Sequence, residues 1–234
     1  LMIVFVRYRD PNLDHTEKPM DAMMLSSLTV TSDIPPQDAW YYGFPINYHY
    51  GGYLLHSLPI KLSGVPVEFG YNLSVAMVAA LSASIAFVIG RILLGRCKRA
   101  VIVVITTLFV GNMAAFFEMF SRTKSLGTLY DWRWGYLFKT SRVIYEKGGE
   151  TINEYPFFSI LWGDLHPHYS NLPLVLLFIV LCYGVYRTVF RHNLKIIGRL
   201  EWPLLAALTI TGTMLFPTNV FDFPIASLFL GGVI

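Results

Sequence analysis

The sequence predicts an all-α integral membrane protein, and three observations lead to this fold class. Of its 234 residues, 54% are hydrophobic and only 14% are charged, whereas soluble domains carry about 25% charged residues. Several apolar runs approach the roughly 20 residues that a helix needs to cross a bilayer. Basic clusters lie between these runs, as in cytoplasmic loops of membrane proteins. The net charge of +3 is too small and too clustered to favour nucleic acid as a partner.

Both ends of the chain resemble parts of transmembrane helices. The chain opens with LMIVFV and stops with FLGGVI, and each run is far shorter than a complete span. We therefore expect a fragment of one transmembrane domain, residues 1–234, with truncated helices at both ends. The two cysteines, Cys97 and Cys182, have no pairing pattern and predict no disulfide framework.

The first long polar segment, residues 7–64, is predicted to be an outer loop with interfacial helices. Methionine and leucine recur at near-helical spacing between Met20 and Leu28, which predicts an amphipathic helix lying on the bilayer. The apolar stretch from Tyr50 to Leu62 is too short to span, and Pro59 interrupts it. We interpret that stretch as an interfacial or re-entrant helix.

Four complete spans are predicted, and the basic residues between them orient the chain. The spans cover residues 71–89, 100–117, 169–186 and 202–216. Basic clusters follow the first and third spans: Arg91, Arg96, Lys98, Arg99 and Arg187, Arg191, Lys195, Arg199. Such clusters remain on the cytoplasmic side. The protein is thus predicted to be a multi-pass cell membrane protein whose first outer loop and second outer loop, residues 121–168, share the extracytoplasmic face.

The sequence GDLHPH at the end of the second outer loop is the strongest candidate for a polar site. Asp164, His166 and His168 immediately precede an apolar span, and ionisable groups at such a border commonly mark function. A carboxylate and an imidazole are suitable ligands for Mg²⁺ or Mn²⁺. Pro167 favours an extended His166, and alternate residues of an extended segment point the same way. The alternative is a helix-capping aspartate with two interfacial histidines.

Three carboxylates of the first outer loop are candidate catalytic residues. Glu17 and Asp21 are four residues apart, and Pro19 suits the first turn of a helix that would place both on one face. Either could act as a general base or a metal ligand, although acidic residues near a helix N-terminus also simply complement its dipole. Asp38, in PPQDAW, is the third candidate.

The aromatic stretch WYYGFPINYHY supplies candidate substrate-binding residues. Its rings and amides could stack on a sugar or a lipid headgroup, although interfacial aromatic residues occur in many membrane proteins. The candidates are Trp40, Asn47, Tyr48, His49 and Tyr50. The chain has no HExxH, Walker loop or GxSxG motif, so protease, NTPase and hydrolase functions lack their usual residues.

Several stretches together resemble a known family. EKPMDAM, PPQDAWYYGFPINYHYGG, GVPVEFGYNLS, INEYPFFSILWGDLHPHYSNLP and TNVFDFP resemble the prokaryotic multispanning YYY membrane protein family, over nearly the whole chain. His49 stands where the signature has its middle tyrosine. That family in turn is similar to the GT-C superfamily of membrane glycosyltransferases, which take a sugar from a polyprenyl phosphate on the outer leaflet.

The resemblance implies a GT-C-like helical bundle with a metal-assisted site. The first outer loop of that superfamily carries an acidic catalytic residue, which corresponds by position to Asp21. In the oligosaccharyltransferase branch an Asp-x-His motif helps to bind the metal, and Asp164 and His166 match it, while His168 would help to position substrate. The function implied is glycosyl transfer from a lipid-linked sugar, among membrane lipids, to an unidentified acceptor with Mn²⁺ or Mg²⁺.

Two other functions stay open at this point. A transporter or channel would carry ionisable residues near the middle of its spans, whereas here these residues lie at the ends. A catalytically inactive GT-C-like scaffold that binds lipid is the other alternative, and the departure at His49 leaves it possible.

Overall fold

The computed structural model describes residues 1–121, 131–146, 149–192 and 201–231, and these segments are mainly helical. The helices are α1 Met2–Arg9, α2 Lys18–Val30, α3 Gly51–Ser63, α4 Val67–Leu94, α5 Cys97–Leu108, α6 Met113–Ser121, α7 Pro156–Trp162, α8 Pro167–His192, α9 Glu201–Thr218 and α10 Asp222–Gly231. A π-helical segment covers Asp131–Phe138. Strands β1, Ile144–Glu146, and β2, Gly149–Thr151, pair antiparallel.

Two helices of the described segments are long and apolar enough to cross a bilayer. They are α4 and the part of α8 from Pro167 to Thr188, while α9 is apolar but shorter. The prediction of a mainly helical protein is confirmed, and these two helices are candidate membrane spans by length and composition. The number of passes and the side on which each loop lies remain predictions. Lys195 and Arg199, from the second basic cluster, fall outside the described residues.

The predicted span 100–117 is two helices rather than one. Helix α5 ends at Leu108 and α6 begins at Met113. The break has a local cause, because Asn112 accepts a hydrogen bond from the backbone N–H of Ala115 at 2.9 Å, as residues at the start of a helix do. The other three predicted spans lie within α4, α8 and α9.

Both helices predicted in the first outer loop form. Helix α2, however, packs its apolar residues against the rest of the protein and does not only lie on a bilayer. Its apolar residues Met24, Leu25 and Leu28 are buried against the rest of the protein. Helix α3 is fixed even more closely to α9. A Cβ added at Gly51 would lie 2.7 Å from the carbonyl carbon of Pro217, so the two backbones touch.

The main core joins α2, α3, α4 and the start of α8. Tyr53, Tyr71 and Tyr169 are among its largest buried side chains. The Tyr169 hydroxyl donates to the carbonyl of Val75 at 2.9 Å, which ties α8 to α4 just below the GDLHPH segment. The core therefore holds the ends of several helices around one polar region.

Candidate functional site

The GDLHPH segment connects α7 to α8 and has a well-defined backbone. Gly163 ends α7 in the left-handed conformation, with φ 76°, and an added Cβ there would lie 2.1 Å from Cζ of Arg7. Only glycine combines this conformation with so close a neighbour. The Asp164 N–H then donates to the Ser159 carbonyl at 2.9 Å, so the carboxylate is held at the end of α7.

The prediction that both histidines lie in one extended segment is wrong for His168, whereas His166 precedes α8 and is not helical. Pro167 begins α8, so His168 lies in the first turn of a helix rather than in an extended strand, as suits proline at a helix start. The rings of His166 and His168 nevertheless lie side by side, with centroids 5.6 Å apart. Both imidazoles therefore reach the same polar region.

Asp21 from α2 meets Asp164 and His166 in a single cluster. One potential ligand atom from each residue lies within 4.8 Å of the other two. Asp21 is completely buried, and Asp164 is only 6% exposed. Nδ1 of His166 lies 3.4 Å from Oδ1 of Asp21 and 2.9 Å from Oε2 of Glu17. The structure thus brings together residues of the first and second predicted outer loops.

Two tyrosines fix the carboxylate of Asp21. The Tyr53 hydroxyl donates to Oδ1 at 2.5 Å and the Tyr71 hydroxyl lies 3.5 Å from Oδ2. Tyr71 also accepts a hydrogen bond from the N–H of Leu165 at 3.1 Å. One connected set of hydrogen bonds therefore joins α2, α3 and α4 to the GDLHPH segment, and it orients Asp21 toward His166.

Burial and mutual charge govern protonation in the cluster. Burial, together with the charge of Asp21, raises the pKa of Asp164 to about 8. Burial lowers the pKa of His166, but the contact with Asp21 and the charges of Asp164 and Glu17 outweigh it and raise that pKa to about 9. Beneath the cluster, burial and the charge of Arg7 lower the pKa of Lys18 to about 8. Acidic groups that are buried close together repel one another when they are ionised. A bound cation would therefore stabilise the cluster.

The cluster has the ligand types and spacing for a divalent cation. Two carboxylates and one imidazole suit Mn²⁺ or Mg²⁺. Oδ1 of Asp164 is buried and has no hydrogen-bond partner within the described residues, which is costly unless something else satisfies it. Ligands on opposite sides of such an ion lie about 4.2 Å apart, so the observed cluster would need to contract only slightly. The residues present fit a metal ion.

The cluster opens into a cavity of about 820 Å³. Tyr48 and His49 line it beside His166, and the Tyr48 hydroxyl lies 3.0 Å from Nε2 of His166. Burial and the charges of Glu17, Asp21 and Asp164 raise the pKa of Tyr48 to about 12, so this phenol stays protonated. His168 and Phe221 also line the cavity.

Four other predicted site residues do not join this cavity in the described part of the chain. Asp38 is exposed, and its Oδ1 accepts the backbone N–H groups of Trp40 and Tyr41 at 2.8 and 3.0 Å. Trp40 is 64% exposed. Asn47 is exposed too, while Tyr50 packs against the main core. None of these four lines the cavity that the cluster opens into.

Several residues at the site were not predicted from the sequence. Tyr53 and Tyr71 lie in apolar stretches and have no motif that would identify them. Glu154 lines the cavity, and its Oε1 lies 2.9 Å from Nη2 of Arg142. Glu154, in INEYP, is a carboxylate just before the apolar start of α7. Asp164, in GDLHPH, likewise precedes an apolar span. That pattern could have identified Glu154.

The comparisons with known proteins give one family. The model of a family described as uncharacterized membrane protein (DUF2298) matches residues 1–234, the whole chain. No curated protein and no solved structure matches the chain significantly.

Proposed function

The chain belongs to the DUF2298 family of uncharacterised membrane proteins, and from its site we propose that it is a glycosyltransferase. It takes a sugar from a polyprenyl phosphate at the outer face of the membrane and passes it to an acceptor hydroxyl or amide. A divalent cation, Mn²⁺ or Mg²⁺, assists. The substrates and the face of the membrane come from the resemblance to the GT-C superfamily.

A single observation carries the proposal. Asp21, which the resemblance implies as the acidic residue of the first outer loop, lies within 4.8 Å of both members of the Asp-x-His motif, measured between potential ligand atoms. Asp21 is 143 and 145 positions from Asp164 and His166 in the chain, so its contact with them is not a result of local sequence. A transporter would need ionisable groups within the spans, whereas this cluster lies at helix ends.

In the proposed reaction the sugar C1–O bond to phosphate breaks and a C1 bond to the acceptor forms. Asp21, Asp164 and His166 would hold the cation, which stabilises the negative charge that develops on the leaving phosphate. Glu17 lies at the same cluster and is more exposed, so it is placed to accept the proton of the acceptor. Tyr48, held near His166, would donate a hydrogen bond to the sugar or phosphate.

The test uses the full chain in lipid nanodiscs, with polyprenyl-phosphate sugars as donors and Mn²⁺ present or removed by chelation. We expect metal-dependent release of polyprenyl phosphate. Asp21→Asn should reduce the rate at least about 100-fold, since it removes a charged ligand from a buried site. The measured quantity is consumption of the donor.

Asp38→Asn is the matched control, because Asp38 is an acidic residue of the same loop that bonds only within its own turn among the described residues. It should keep nearly the full rate. Absence of donor consumption by the wild-type protein, with Mn²⁺ still bound, would favour the inactive lipid-binding scaffold. Equal losses in both variants would show that Asp21 has no special role.

A further inference from the structure

A second group of potential ligands adjoins the first and shares one residue with it. Potential ligand atoms of Glu154, Asp164 and His168 lie within 4.8 Å of one another. Glu154 precedes α7 and His168 lies in the first turn of α8, so different elements supply this group and the Asp21 group, and Asp164 is common to both. We infer that Asp164 bridges two cation positions, the second formed with Glu154 and His168, and that the second takes Mn²⁺ or Mg²⁺ together with the phosphate of the donor.

Asp164 is the residue that makes a bridge possible. It is 94% buried, since only 6% of its surface is exposed, and it lines the cavity beside Glu154 and His168. Its Oδ1 has no hydrogen-bond partner in the described segments. A carboxylate has two oxygens and about four lone-pair directions, so one oxygen can serve each cation.

The contact between Glu154 and His168 is too long for a simple hydrogen-bonded pair. Oε2 of Glu154 lies 3.5 Å from Nε2 of His168, beyond the usual range of about 2.7–3.2 Å. The hydrogen-bond partner of this nitrogen is Oγ of Ser159 at 3.2 Å, and a bound cation would replace it. Two ligands of one Mn²⁺ or Mg²⁺ lie about 3.0–4.2 Å apart. Arg142 occupies only the other oxygen, Oε1, at 2.9 Å, and this contact orients Oε2 toward His168.

The charges around the two cation positions explain why the second cation would bind together with phosphate. Four carboxylates surround the two positions, those of Glu17, Asp21, Glu154 and Asp164. With all four carboxylates ionised around a bound cation, Lys18 and Arg142 offset two of the four negative charges, and that cation neutralises the other two. A second cation needs further negative charge, which a phosphate provides. Paired cations that clamp both sides of a phosphate are a common catalytic arrangement.

This inference rests on the proposed function, because the first cation position and the phosphate come from it. The test measures Mn²⁺ binding and the electron paramagnetic resonance spectrum of the full chain in nanodiscs. One titration uses Mn²⁺ alone and the other adds farnesyl phosphate. We expect one isolated Mn²⁺ without the phosphate, and two Mn²⁺ with a spin-coupled spectrum in its presence.

Glu154→Gln and His168→Asn should each keep the first Mn²⁺ and lose both the second and the spin coupling. Glu150→Gln is the control, because Glu150 is an exposed carboxylate of the neighbouring strand β2. The spectrum of the wild-type protein decides the matter even if a variant folds poorly.

The possible results separate the two proposals. A single uncoupled Mn²⁺ in both titrations, lost in Asp21→Asn, overturns the second position and leaves the proposed function intact. A second Mn²⁺ that persists in both Glu154→Gln and His168→Asn also overturns it. Failure to bind any Mn²⁺ would count against both.

Discussion

Two parts of the first predicted outer loop carry candidate residues, and one part is buried in the structure while the other is exposed. The start of α2 is buried, with Asp21 inside the protein and oriented by hydroxyls from α3 and α4. The aromatic segment 38–44 is exposed, and Asp38 is bonded to its own turn. Both segments combine carboxylates with aromatic neighbours. What distinguishes them is long-range contact, since only the first is fixed by distant parts of the chain.

The largest expected difference concerns two glycines with positive φ, Gly163 in the GDLHPH segment that meets Asp21 and Gly43 in the exposed segment 38–44. Gly163→Ala should reduce the free energy of unfolding by about 3 kcal/mol, from left-handed strain of about 1 kcal/mol and a disturbed buried hydrogen bond of Arg7 worth about 2 kcal/mol. Arg7 is buried and donates to Asn72 at 2.8 Å, so its guanidinium cannot move aside cheaply. Denaturant unfolding in detergent measures the change.

Gly43→Ala is the control for that prediction. Gly43 has φ 90°, but an added Cβ would meet nothing within 4 Å. Only the backbone strain of about 1 kcal/mol applies there. Equal losses in the two variants would mean that the contact between Gly163 and Arg7 contributes nothing.

The sequence alone predicted part of the difference between the two segments. Particular residues show why it could not predict the rest. Asp164 and His166 could be predicted because they lie two residues apart just before an apolar run, and Pro19 indicated where α2 begins. Tyr53 and Tyr71 lie 32 and 50 residues from Asp21. Nothing local marks a tyrosine in an apolar stretch as a hydrogen-bond donor. Asp38 was a third candidate beside Glu17 and Asp21, and only tertiary packing shows that it is exposed while Asp21 is buried in the cluster.

A medium effect is expected from pH acting on His56, which lies in the buried region. Burial lowers its pKa from 6.5 to about 4. The unfolded chain therefore binds a proton that the folded protein does not, so stability is complete above pH 6.5 and falls as the pH drops toward 4. At pH 5 the loss is about 2 kcal/mol. Unfolding at pH 7 and pH 5 measures it.

His56→Gln should remove this component of the pH dependence, whereas His49→Gln should keep it. His49 is the comparison residue for His56, because it lies outside the main core, lines the cavity and is only partly buried. If the wild-type protein and His56→Gln lose stability equally between pH 7 and pH 5, the imidazole of His56 is not responsible.

The smallest effect concerns one hydroxyl group. Tyr53→Phe removes the donor to Asp21 and should weaken Mn²⁺ binding about 10-fold, as is typical when the partner of a metal ligand is lost. Tyr41→Phe makes the same change in the exposed segment and should leave the affinity unaltered. Isothermal titration calorimetry with Mn²⁺ measures the affinity of both variants. A similar affinity in both would show that the Tyr53 hydroxyl does not contribute to metal binding.

The touching backbones of Gly51 and Pro217 have a consequence for one wall of the cavity. Helices α3 and α9 cannot slide or separate at that point without losing the contact, so the residues that flank it keep their spacing. His49 precedes α3 and Phe221 follows α9, and their ring centroids are 6.2 Å apart. Both residues line the cavity, so the position of this part of its wall depends on the main-chain contact between α3 and α9.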